Sequence, residues 1–147
     1  VSARSKARKR ALDVLFECEA RGLPLGSTVD DRRRAAATDP RVPPMPEYSL
    51  VLIDGVAAEQ QRIDALLSTY SQGWPLDRMP AVDRTILRLA TYEILSRDEV
   101  PDAVAVSEAV RLAQELSTAE SPTFINGLLA RIVATKASSN AEPGGAA

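Results

Sequence analysis

The chain has 147 residues, 45% of them hydrophobic and 26% charged, the balance of one soluble globular domain. It contains no histidine and a single cysteine, which excludes histidine-based acid–base catalysis, zinc sites built on Cys and His, and any internal disulfide. The net charge of −2 is unevenly placed: residues 1–10 hold five basic groups and no acid, while the other 137 residues hold 13 basic and 20 acidic groups.

A basic start on a body of net −7 is the asymmetry of an arm that meets a polyanion. No run of 18 apolar residues exists, so no membrane span is expected. The stretch after the basic start is interrupted by Asp13, Glu17 and Glu19, so it does not read as a secretory leader. A cytoplasmic protein is the simplest expectation. Six aromatic residues against 23 alanines and 16 leucines favour helix over sheet.

The first helix is expected from about Ser5 to Arg21-Gly22, where Ala7, Ala11, Val14, Leu15 and Cys18 recur at helical spacing and Gly22 and Pro24 give the stop. A short helix over roughly 27–37, capped by Ser27 or Thr28, precedes the loop TDPRVPPMPE. From Glu47 to about Ser71 no proline occurs and one long helix is expected, ended by Gly73-Trp74-Pro75. The next runs from about Pro80 to Ser96 with the stripe Val82, Ile86, Leu89, Ala90 and Ile94. Another starts at Val100-Pro101 and reaches about Ser117. Ser121-Pro122 opens a last helix to about Lys136, whose buried face is Phe124, Ile125, Leu128, Leu129 and Ile132. The expected architecture is all-α: one compact bundle of about six or seven helices over residues 1–137, followed by a disordered tail over 138–147.

Little in this chain points to catalysis. There is no glycine-rich phosphate loop, no GxSxG, and no carboxylate cluster at metal spacing, so no enzyme activity, cofactor or metal is expected. Cys18 falls on an apolar face and reads as a small buried hydrophobe. The run Arg32-Arg33-Arg34, beside Asp30 and Asp31, reads as a solvated helix face. The informative feature is RSKARKR, residues 4–10: Arg4, Lys6, Arg8, Lys9 and Arg10 offer cations to a phosphate backbone from a helix end anchored by the apolar stripe behind it. Phe16 lies one position off that stripe, either core or a stacking surface. Tyr70 and Trp74, at a helix end beside a turn, are either packing residues or anchors for a protein partner.

Four segments resemble the NusB family of transcription antitermination factors. KARKRALDVLFECE is similar to the family's arginine-rich opening followed by A-x-x-x-L-[YF]. PAVDRTILRLATYEIL is similar to its D-R-x-I-L-R-x-A-x-Y-E-L stretch. VPDAVAVSEAVRLAQELS resembles V-x-E-A-[VI]-x-L-A-K, and SPTFINGLLARI resembles S-x-x-F-[VI]-N-G-[VL]-L. They come in the family's order and spacing between residues 6 and 132, and 22–46 and the tail lie outside the likeness. Phe16 stands where tyrosine is common, and 22–46 is unusually rich in proline and arginine.

The resemblance implies an all-helical, non-enzymatic factor that binds boxA RNA of ribosomal RNA leaders. It would act with a small-subunit ribosomal protein serving as NusE, and help RNA polymerase in the elongation complex read through terminators. It implies RNA contacts at Arg4, Lys6 and Arg8, with Lys9 and Arg10 beside them, at Phe16, and around Glu120, Phe124 and Asn126. It implies a partner-protein surface around Tyr70 and Asp83, to which Trp74, Arg84 and Arg88 are neighbours in sequence. Read from the residues alone, Asp83 and Arg84 are an RNA-facing or partner-facing pair or ordinary helix-start charges, and Arg88 extends a stripe from Arg84. Asn126 is either an RNA contact or a structural bond to nearby backbone, and Gly127 marks a close helix contact. The competing expectation is a helical interaction or homodimerisation module of the same fold without RNA function of its own. Such a module also occurs on some RNA methyltransferases, which would need a glycine-rich cofactor site not present in these residues.

Overall fold

The computed structural model describes residues 2–141. Among them are six α-helices: α1 (Ala3–Arg21), α2 (Leu25–Thr38), α3 (Glu47–Tyr70), α4 (Ala81–Ser96), α5 (Asp102–Leu116) and α6 (Ser121–Ala141), with one 3₁₀ turn at Leu76–Arg78. No strand occurs among the described residues. The helices group into two compact units, Val1–Ala58 and Glu59–Ala147, the division falling within α3.

In the first unit α1 starts two residues earlier than its apolar periodicity suggests. Ser2 is the cap: its Oγ accepts from the Ser5 backbone N–H at 3.0 Å, satisfying an orphan donor of the first turn. The whole basic arm is therefore helical from Ala3 onward. Gly22 closes the helix at φ 64°, its N–H directed to the carbonyls of Cys18 and Glu19, a left-handed conformation that only glycine adopts cheaply. α1 buries Ala7, Ala11, Leu12, Val14 and Cys18. α2 begins at Leu25 rather than Ser27, because Pro24 supplies the extended residue before the helix and Ser27 turns its hydroxyl back to the Pro24 carbonyl. Arg32 of α2 pairs with Glu17 of α1, and Val29 is the one residue of α2 that is fully inside. The run Arg32-Arg33-Arg34 divides accordingly: Arg32 meets Glu17, Arg34 meets Asp31, and Arg33 is exposed. Ser49, near the start of α3, donates a buried 2.7 Å hydrogen bond from Oγ to the carbonyl of Ala7.

In the second unit α4, α5 and α6 pack on one another. Ten of the sixteen residues of α4 are buried, including Asp83, Thr85, Thr91 and Glu93 as well as Ile86, Leu87, Leu89 and Ile94. A helix enclosed on most sides is a central element, not a surface one. Val82, expected on its apolar stripe, is only half-buried. The facing residues are Ala105, Ala109, Leu112 and Ala113 of α5 and Ile125, Leu128, Leu129 and Ile132 of α6. Lys136 on α6 ties the layers together, its Nζ donating to the carbonyl of Ile94 at 2.6 Å and to Asp102 at 3.0 Å. That contact satisfies a carbonyl near the end of α4 and meets the carboxylate in the first turn of α5.

α6 runs on to Ala141, past the expected stop at Lys136. Nothing in ASSNA breaks a helix, and the first breaker in the chain is Pro143. The start of the expected disordered tail is thus helical, and its residues 142–147 lie outside the described residues. No helix among the described residues is long and apolar enough to cross a membrane.

Candidate nucleic-acid interface

The arm's cations do not all face the same way. Arg4, Lys6 and Lys9 are exposed, Arg10 is half-buried, and Arg8 is 4% exposed. The reason is helical phase. Arg8 lies one residue from Ala7 and three from Ala11, both of which are buried, whereas Lys6 and Lys9 fall on the outer arc. The guanidinium carbon of Arg4 lies 4.2 Å from the centroid of the Tyr48 ring, and that of Arg8 lies 5.8 Å from the same ring. Both distances are within the range of cation–π attraction. Arg10 keeps its Nε buried with no hydrogen-bond partner among the described residues. Phe16, further along α1, is half-buried, so the ring contributes to packing and keeps one part accessible.

In the second unit the aromatic pair Trp74 and Phe124 meets edge to face, ring centroids 4.6 Å apart and planes at 65°. The turn that presents Trp74 is tight: Gln72 and Gly73 both take positive φ, 54° and 85°. Phe124 stands in the first turn of α6. The two rings help line a cavity of about 350 Å³ together with Ser71, Gln72, Thr123, Gly127 and Arg131. Arg131 is oriented by a 3.0 Å hydrogen bond from its Nε to the carbonyl of Tyr70. Gly127 is not at a helix crossing, as its position mid-helix suggested. A Cβ built there would meet only Nη1 of Arg131, at 3.7 Å. The missing side chain leaves the cavity open.

The remaining residues of this neighbourhood separate. Glu120 is exposed at the turn before α6. Asn126 is exposed on another side of α6 from Phe124, where it lines a groove of about 860 Å³ between α5 and α6 with Val106, Val110 and Val133. Among the described residues it makes no hydrogen bond of the kind expected from its mid-helix position.

Three residues expected at a protein-partner surface are occupied internally. Asp83 is fully buried; its carboxylate accepts from Ser121 Oγ at 2.8 Å and from Ser117 Oγ, which fastens α4 to the turn between α5 and α6. Arg84 donates to the carbonyl of Leu76 at 3.0 Å and so holds the 3₁₀ turn. Arg88 forms a two-armed pair with Asp64, at 2.8 and 3.0 Å. The positive stripe expected from Arg84 to Arg88 is therefore committed to carbonyls and a carboxylate within the unit. Their i, i+4 spacing gave the stripe, but burial of α4 on most sides turned both guanidinium groups inward. Tyr70 and Trp74 remain half-exposed.

Two contributors escape a reading of the sequence. Arg131 is four residues from Gly127 and seven from Phe124, so helical spacing alone could have placed it on the same face. Tyr48 has no such signal, because it is separated from the arm by the whole of α2 and a proline-rich loop.

Comparison with known proteins bears on this geometry. A family model described as the NusB family matches residues 5–134. The transcription antitermination protein NusB of Kineococcus radiotolerans is 58% identical over 137 residues, covering 92% of this chain and 96% of its own. A crystal form of NusB from T. maritima superposes with a TM-score of 0.77 at 32% identity, over 90% of this chain and 92% of that one. A chain from the crystal structure of antitermination factors NusB and NusE in complex with dsRNA superposes with a TM-score of 0.75 at 22% identity, over 90% and 96%, a likeness of fold.

Proposed function

The chain belongs to the NusB family, and from that premise we propose that it is a cytoplasmic, non-enzymatic transcription antitermination factor. It recognises boxA-type RNA of ribosomal leaders and acts with a ribosomal protein serving as NusE on the elongating RNA polymerase. The observation that carries the reading is the arm: residues 4–10 place five cations, three of them exposed, on a capped helix whose other face is buried. Phosphate contacts from such a helix supply affinity and register. That NusB is named with NusE and dsRNA in a related structure supports the choice of partners.

Base recognition requires surfaces other than phosphate contacts. In single-stranded RNA the unstacked bases pack on aromatic rings and on guanidinium planes. Phe124 and Trp74 offer rings, and Arg131 a guanidinium, around one cavity of a size that admits a base. Phe16 offers a part-exposed ring on α1. Tyr70 and Trp74 are the accessible members of the protein-partner surface, with Asp83 acting on it indirectly by holding the α5–α6 turn.

The test is titration of a 12-nucleotide boxA-like RNA against a scrambled one, with and without the ribosomal partner. Preference for the boxA-like strand, increased by the partner, is the expected result. Because binding couplings are reciprocal, the RNA should raise affinity for the partner by the same factor. Equal affinity for the two RNAs under both conditions would refute the reading.

A further inference from the structure

The geometry points to Tyr48 as the positioning residue of the arm, an inference that rests on the RNA reading above. One ring serves two cations. Arg4 and Arg8 stand one helical turn apart, where like charges repel, and the Tyr48 ring lies 4.2 and 5.8 Å from their guanidinium carbons. The negative face of an aromatic ring offsets that repulsion. The two arginines differ in exposure: Arg8 is buried and Arg4 is on the surface. The ring thus has one inner cation that belongs to the fold and one outer cation that is presented to solvent.

The ring itself is firmly placed. Its neighbour Ser49 is fully buried and bonded to the Ala7 carbonyl at 2.7 Å, in the middle of the arm. The backbone N–H groups of Ser49 and Leu50 donate to the carbonyl of Pro46, at 3.0 and 3.3 Å, which fixes the first turn of α3. Tyr48 is therefore held against α1 by a backbone-anchored residue on the next position.

The consequence concerns the cost of ordering. A free arginine side chain loses much rotamer freedom when it meets a phosphate, and a side chain held beforehand loses less. Tyr48 raises RNA affinity without touching RNA and without adding a charge. Removing the ring should weaken binding while the number of phosphates neutralised, and hence the salt dependence, stays the same.

The experiment titrates a 12-nucleotide single-stranded RNA over a range of salt with the wild-type chain, Tyr48→Phe, Tyr48→Leu, Arg4→Ala and the double variant Tyr48→Leu/Arg4→Ala. Tyr48→Phe should bind like wild type, because it keeps the ring. Tyr48→Leu should bind about two- to fivefold more weakly with an unchanged salt slope. The double variant should be no weaker than Arg4→Ala alone, since the ring acts through the Arg4 side chain that this variant already lacks. Wild-type affinity in folded Tyr48→Leu, or losses that simply add in the double, would overturn the inference. A second measurement needs no variant to fold: the δ-methylene protons of Arg4 should show an upfield ring-current shift in the wild-type spectrum, and its absence would equally overturn it. Replacing Arg4, Lys6 and Lys9 together by alanine separates the two readings. If that triple variant binds RNA like wild type, the RNA reading of the arm fails. If it binds weakly while Tyr48→Leu does not, the positioning role alone fails.

Discussion

The rings of Trp74 and Phe124 meet edge to face at 4.6 Å, joining a residue from the turn after α3 to one from the first turn of α6. Read from the sequence, these two have different tasks: Trp74, at a helix end, is an anchor for a protein partner, and Phe124, by the family resemblance, an RNA contact. Their contact makes them one wall of one cavity, so a change at either should alter both.

The arm supplies the first prediction. Arg4, Lys6 and Lys9 are exposed, whereas Arg8 is inside. Replacing the three exposed cations by alanine should leave helicity and melting almost unchanged. It should reduce the slope of log affinity against log salt by about 2, at roughly 0.7 per phosphate of a single strand. Arg8→Ala should behave differently, lowering the melting temperature because a buried group is lost. Circular dichroism and salt-dependent titration check both.

Gly127→Ala separates folding from binding in the opposite direction. Alanine in mid-helix is favoured over glycine by about 1 kcal/mol, and the new methyl would meet only Arg131 Nη1 at an ordinary 3.7 Å. The melting temperature should therefore rise by roughly 2–4 °C. The same methyl narrows the Trp74–Phe124 cavity, so RNA affinity should fall. A variant that is both more stable and equally good at binding RNA would remove this cavity from the interface.

Asp83 is predicted to matter through the fold. Ser121→Ala removes the donor of the 2.8 Å bond to its buried carboxylate and should cost about 1–3 kcal/mol, the price of leaving a buried acceptor short of a partner. Leu128→Ala, at a fully buried position of α6, should cost about 2–5 kcal/mol. Denaturant melts give both values, and a Ser121→Ala chain as stable as wild type would argue against the network.

Acid should loosen the link between α1 and α2. The Arg32 hydrogen bond to Glu17 holds its carboxyl below the usual carboxylate range, with further lowering by the charge of Arg32 and by Arg21, against some opposing desolvation. A depressed carboxylate stabilises the folded chain above its ordinary pKa, and that contribution disappears as pH falls through the lower folded value. Glu17→Gln should thus flatten the acid side of the stability profile, leaving less difference between pH 7 and pH 3 than in wild type. Since both side chains are partly exposed, the effect should also shrink in high salt.

Much of this architecture was legible because it depends on local rules. The helix stop at Gly22, the stripe Ile86, Leu89, Ala90 and Ile94, and the buried face Ile125, Leu128, Leu129 and Ile132 all follow from periodicity and turn chemistry, and each is buried or capped as those rules require. The basic arm was legible as a charge pattern. Which of its members face outward was not, because that is set by the phase of a helix that begins at the Ser2 cap. Asp83, Arg84 and Arg88 show the same limit more sharply: a charged residue near a helix start reads as surface until the tertiary structure supplies Ser117, Ser121, the Leu76 carbonyl and Asp64. The pairing of Trp74 with Phe124 and of Tyr48 with Arg4 depends on residues more than forty positions apart, which no local pattern reports.

Cys18 is the chain's sole thiol and is buried, and its carbonyl accepts the N–H groups that close α1 at Gly22 and Leu23. A thiol reagent can reach that sulfur only when the end of α1 opens, and no second cysteine can blur the signal. The rate of modification in the native buffer is thus a direct clock for opening of the helix that carries the arm. RNA that grips the arm should slow the clock to the extent that exposing Cys18 also unfolds residues 4–10, whereas RNA bound elsewhere should leave it running at its free rate.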